Sequence, residues 1–109
     1  MDPRTKRDIE SAGAWFVGGY SQELYTNIQR IQNEPLYKRE IIQRIFEETG
    51  RDSQVRGTTT RVNSVLKIIL RDDLPDALRY VINSRMSQGN DANYARRAQE
   101  FLTILNGLI

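Results

Sequence analysis

The chain has 109 residues, 39% of them apolar and 28% charged, with a net charge of +2. That length supports one modest core and no second one, no apolar run approaches the roughly 20 residues of a membrane span, and the charged start MDPRTKRDIE lacks the apolar segment of a signal peptide. There is no cysteine and no histidine, which removes disulfides, thiolate nucleophiles, the commonest general base and the usual zinc ligands. The expectation is a single domain over 1–109 in the cytoplasm, not an enzyme, with no metal and no cofactor.

In chain order, Asp2 before Pro3 signals a helix start, since the carboxylate can cap free amides and proline suits the first turn. Ile9, Ala12, Phe16, Tyr20, Leu24, Ile28 and Ile31 then recur at spacings of three, four and seven. This predicts one long first helix, with Gly18-Gly19 as the place for a kink, ending near QNEP. Asn33 is the expected cap of a second helix through LYKREIIQRIFEET, with Tyr37, Ile41, Ile42, Ile45 and Phe46 inward and Gly50 closing it. RDSQVRG reads as a loop. Thr58 or Thr59 then starts a third helix that faces Val62, Val65, Leu66 and Ile69 inward. Asp72 or Asp73 with Pro75 starts a fourth, burying Leu74, Leu78, Val81, Ile82 and Met86. SQGND breaks it, and Asn90 or Asp91 caps a last helix that buries Ala95, Ala98, Leu102, Leu105 and Ile109. No alternating strand pattern competes, so the fold class is all-α, a compact bundle of about five helices.

The stretch AGAWFVGGY, residues 12–20, places three glycines inside a helical pattern. Each interior glycine costs about 1 kcal/mol relative to alanine, so a close approach must offset it. Gly13, Ala14, Gly18 and Gly19 outline a small-residue groove flanked by Trp15, Phe16 and Tyr20. The groove suits either a helix crossing within the chain, the expectation for Gly18, or an interface with a partner subunit, the expectation for Trp15 as an exposed anchor.

The sharpest charge excess lies in residues 51–71, where Arg51, Arg56, Arg61, Lys67 and Arg71 face a single acid, Asp52. A loop rich in Arg, Ser, Gln and Gly running into Thr58, Thr59 and Thr60 offers amides, hydroxyls and guanidinium groups at one place, which suits phosphate. The expected contact set is Arg51, Arg56, Thr58, Thr59, Thr60, Arg61, Lys67 and Arg71, with Arg79, Arg85, Arg96 and Arg97 able to broaden it. The plain alternative is a solvated charged helix face. GTTTR is no P-loop, because the GK[ST] ending and a preceding strand are missing. Asp72 with Asp73 and Glu47 with Glu48 read as helix-end residues, not as metal ligands.

A small basic helical chain that opens with AGAWFVGGYSQELY and carries RGTTTRVNSVLK resembles the helical small subunits of CRISPR surveillance complexes. The resemblance covers most of the chain by size and helix count and rests on no invariant motif. It implies backbone contacts to nucleic acid from the basic face and packing on neighbouring subunits through the first helix. The expectation is therefore a non-enzymatic subunit that binds DNA or RNA backbone with little sequence discrimination. The rival is a protein-interaction adaptor or inhibitor, such as a phage or plasmid regulator, that works through the Trp15 region without nucleic acid. A helix-turn-helix reader fits less well, since the acids of RDDLPD would face the duplex.

Overall fold

The computed structural model describes residues 1–84 and 92–107. Met86 and Ile109 as core residues, Arg85 as a contact, SQGND as a breaker and Asn90 or Asp91 as a cap lie outside them. Among the described residues there are seven helices and no strand: α1 (Pro3–Ala12), α2 (Ala14–Thr26), α3 (Ile28–Asn33), α4 (Pro35–Thr49), α5 (Val55–Leu70), α6 (Leu74–Asn83) and α7 (Ala92–Gly107). The all-α class holds; the helix count exceeds five because the first expected helix is three.

α1 begins as its sequence dictates. The Asp2 carboxylate accepts the Arg4 amide at 2.8 Å with Pro3 in the first turn, and Thr5, Ile9 and Ala12 form its buried stripe. The chain then turns at Gly13, not at Gly18-Gly19. Gly13 has φ +87°, a region that β-carbon-bearing residues rarely enter. Its amide closes α1 on the Ile9 carbonyl at 2.8 Å, and its own carbonyl accepts the amides of Phe16 and Val17 to open α2. A β-carbon there would also meet Trp15 Nε1 at 2.9 Å.

α2 buries Ala14, Phe16, Val17, Gly18, Ser21 and Leu24. These positions extend around more than one stripe, the pattern of a helix enclosed on several sides; α2 packs on α7, α5 and α6. α7 approaches α2 closely at Gly18, where a β-carbon would lie 2.5 Å from the Tyr94 carbonyl oxygen.

Asn27 interrupts the helix before α3. Asn33 does not cap α4: Glu34 occupies that position in extended conformation, as the residue before a proline must to avoid the ring. Gly50 closes α4 in the left-handed conformation, φ +60°, as its place after the last periodic residue implies. Ile41, Ile42 and Ile45 are buried on α4, while Tyr37 and Phe46 are half-buried.

α1 and α5 pack side by side and antiparallel, for Ala12 meets Arg61 while Thr5 and Asp8 meet Arg71. α5 buries Val62, Val65, Leu66, Ile68 and Ile69, and α6 buries Leu74, Ala77, Leu78 and Val81. Tyr94, Ala98, Phe101, Leu102 and Leu105 of α7 complete one continuous core. Ala95 is only half-buried, whereas Tyr94 and Phe101 fill the interior.

Candidate nucleic-acid interface

α5 starts at Val55, so Thr58, Thr59 and Thr60 lie beyond its first turn and their amides belong to the helix ladder. Thr58 is buried, and its hydroxyl donates to Asp52 at 2.8 Å. The hydroxyls of Thr59 and Thr60 donate back to the carbonyls of Val55 and Arg56, at 3.0 and 3.2 Å. The expected threonine cradle for phosphate is therefore not formed. The sequence hid this because no capping residue marks the true start; the position is taken by Gln54, which makes no side-chain cap bond.

Arg61 is a structural clamp. It donates through Nε and Nη2 to Asp52, at 3.1 and 3.0 Å, and through Nη1 to the Ala12 carbonyl at 2.7 Å. Gly57 makes this possible, since Asp52 lies 3.1 Å from where its β-carbon would be. Bonds from Arg61, and then from Thr58, hold the Asp52 carboxyl below the usual carboxylate range against the opposing effect of burial. A carboxylate whose folded pKa is depressed stabilises the fold above its unfolded value, and that contribution is lost as pH falls through the folded value. Asp52→Asn is thus expected to melt below wild type at neutral pH, with the gap narrowing below about pH 4. Melting curves from neutral to acid pH check this; a gap independent of pH would contradict it.

The clamp also positions Trp15, which is half-buried and not a freely exposed anchor. Its ring stands edge-on to Phe16, centroids 5.5 Å apart. The Arg51 guanidinium lies over it at 4.2 Å and Arg61 at 5.0 Å. The small-residue face expected for a partner is filled within the chain: Ala14 is buried, and Gly18 receives the α7 backbone. Gly13 serves as the turn. Gly19 instead lines an open cleft of about 240 Å³ shared with Trp15, Tyr20, Arg51, Tyr94 and Arg97.

The basic residues of 51–71 do not form one stripe. Arg51 and Arg61 gather at Trp15, and Ser64, between Arg61 and Lys67, is buried. Arg56 is exposed on the first turn of α5. Eleven residues further on, about 16 Å at helical rise, Lys67 joins Arg71. Arg79 pairs with Asp76, and Arg96 approaches Glu100.

At this second end, Lys67 and Arg71 meet Arg4 and Arg7 of α1 in an open cleft of about 300 Å³ that also includes Asp8. Arg71 is anchored, donating through Nη2 to Asp8 at 2.5 Å and to the Thr5 hydroxyl at 3.1 Å. Thr5 in turn donates to Asp73 at 2.5 Å, so the Asp73 carboxylate braces α1 instead of capping α6. Arg4 binds Asp2 at 2.8 Å, and its bonds push the Asp2 carboxyl down to about 2. Four cations thus stand with three carboxylates, Asp2, Asp8 and, behind Thr5, Asp73. Sequence reasoning missed Arg4 and Arg7 because residues 1–33 balance four basic against four acidic side chains; only the antiparallel α1–α5 pairing brings Lys67 and Arg71 beside them.

Among the described residues, no group of three acidic side chains converges to hold a metal ion, and no helix is long and apolar enough to cross a membrane. No protein-family model, curated protein or solved structure matches the chain.

Proposed function

We propose that this chain is a non-enzymatic helical subunit that binds nucleic-acid backbone, with little sequence discrimination, inside a larger nucleoprotein assembly of the kind the CRISPR small-subunit resemblance implies. The observation that carries the proposal is the α1–α5 cleft, where Arg4, Arg7, Lys67 and Arg71 converge on one opening. Arg71 is held by Asp8 and Thr5, so part of the site is ordered before any ligand arrives, which lowers the cost of binding. Cations on two packed helices suit successive phosphates of a backbone.

The test leaves the clamps untouched. Arg7 and Lys67 are exposed and form no ion pair in the described structure, so Arg7→Glu with Lys67→Glu is expected to preserve the helical signal and the melting curve. Binding of labelled oligonucleotides at low ionic strength, followed by fluorescence anisotropy, is expected to weaken roughly tenfold or more. Unchanged affinity in this variant would exclude the cleft.

A protein-interaction adaptor is the second reading. What favours it is apolar exposure: Leu36 is 70% and Leu70 58% exposed. Wild-type protein without affinity for any oligonucleotide at low ionic strength would move the balance to this reading.

A further inference from the structure

We propose that the cleft between α2, α7 and the end of α4 is a nucleotide subsite, which takes one unpaired base together with its phosphate. The inference deepens the nucleic-acid reading but stands on separate residues, beyond the opposite end of α1 from Arg4. Three features of the cleft point to this ligand.

The first is its lining. Tyr20 supplies half-exposed aromatic surface beside Trp15, whose ring carries the Arg51 guanidinium at 4.2 Å, and Arg97 supplies an exposed guanidinium within the same 240 Å³ opening. Aromatic faces stack on any base, and a guanidinium pairs with phosphate through two parallel N–H bonds. The volume falls below the roughly 300–1,000 Å³ of pockets for drug-sized ligands, so it suits a single ring system and not an extended one. The second is the Thr49 hydroxyl, which is buried at the cleft with no hydrogen-bond partner among the described residues. Buried polar atoms are nearly always satisfied, and a base edge or a phosphate oxygen would satisfy this one.

The third is Gly19. Its neighbour Gly18 is required by the α7 backbone, but a β-carbon on Gly19 would find nothing nearer than Arg97 Nη1 at 3.9 Å. Packing within the described chain therefore gives no reason for a poor helix former in the middle of α2. A side chain at Gly19 would instead enter the cleft, and glycine keeps that space open for a ligand.

The experiment uses the full chain. Trp15 is the sole tryptophan, so its emission reports on the cleft during titration with adenosine monophosphate. Labelled single strands and the matching duplex are titrated in parallel. Gly19→Leu is the blocking variant, and Arg97→Glu, at an exposed position, removes the phosphate partner without filling the space. The expected result is that single-strand affinity falls roughly tenfold in both variants, while duplex affinity is retained and the melting temperature is not lowered. Saturable quenching by the free nucleotide, lost in Gly19→Leu, assigns the site to mononucleotides as well; loss of strand affinity without such quenching assigns it to unpaired nucleotides in a strand. Folded variants that keep wild-type strand affinity and quenching overturn the inference, as does wild-type protein that shows neither. Failure of the α1–α5 reading is separate, since it appears as an Arg7→Glu, Lys67→Glu variant with unchanged duplex binding.

Discussion

Gly18→Ala is expected to lower the melting temperature, although glycine-to-alanine changes inside helices ordinarily raise stability by up to about 1 kcal/mol. The reason is geometric. The added methyl would sit 2.5 Å from the Tyr94 carbonyl oxygen and 3.0 Å from its carbonyl carbon, and both belong to the α7 backbone, which cannot rotate away as a side-chain tip can. α2 and α7 must separate, and the close packing around Phe16, Val17, Ala98 and Phe101 loosens with them. A cost of about 1–3 kcal/mol fits overpacking of this kind. Gly18→Leu is expected to cost more than about 3 kcal/mol, a large share of the total stability of a small domain. At roughly 4–8 °C per kcal/mol, the leucine variant loses at least about 12 °C. Gly19→Ala provides the internal contrast, gaining about 0.5–1 kcal/mol because its β-carbon is unobstructed. Two neighbouring glycines with opposite signs would distinguish close approach from general helix propensity; equal signs in thermal melts would contradict the described α2–α7 contact.

Arg61→Ala has the second large effect. The Arg61 side chain is about three-quarters buried, and its guanidinium joins the Asp52 loop to α5 by a two-pronged ion pair and holds the last carbonyl of α1. Removing it leaves Asp52 in a largely buried position with only Thr58 as a bonding partner among the described contacts. The Ala12 carbonyl also loses its donor where the chain turns at Gly13. Breaking a fully buried pair costs about 3–5 kcal/mol; residual exposure here reduces that to about 2–4 kcal/mol. Denaturant titration checks the loss, and Asp52→Asn in the Arg61→Ala background is expected to recover part of it by removing the stranded charge. A variant as stable as wild type would show that the clamp is dispensable. Arg61 is thus a poor choice for testing nucleic-acid binding, although its place in the basic segment makes it the obvious one.

What the sequence made legible follows from where each signal originates. Gly50 ends α4 because a local conformation demanded it, and the inward faces of α5 and α6 emerge because Val62, Val65, Leu66 and Ile69, like Leu74, Leu78 and Val81, repeat with the helix period. The break at Gly13 escaped because Ile9, Ala12 and Phe16 keep helical spacing across it: α1 and α2 each turn their apolar side to the same core, so the phase persists while the axis changes. At Gly18 and Gly19 the opposite error arose, since paired glycines suggest a kink but are helical here. Thr58, Thr59 and Thr60 resemble a helix start by composition, yet α5 begins at Val55 with no side-chain cap. The basic cleft was the least visible feature, for Arg4 and Arg7 reach Lys67 and Arg71 only across sixty residues of chain.

The most direct measurement of the central claim is the salt dependence of duplex binding by the wild-type protein. Each phosphate neutralised by a cation releases counterions and adds about −0.9 to the slope of log affinity against log salt. The two cations without acid partners, Arg7 and Lys67, give a slope of about −2, and full engagement of all four cations in the α1–α5 cleft gives nearly −4. The expected result is a slope within that range that flattens by about 2 in Arg7→Glu, Lys67→Glu protein of unchanged melting temperature. No binding at low ionic strength, or a slope that the double substitution leaves intact, would contradict it.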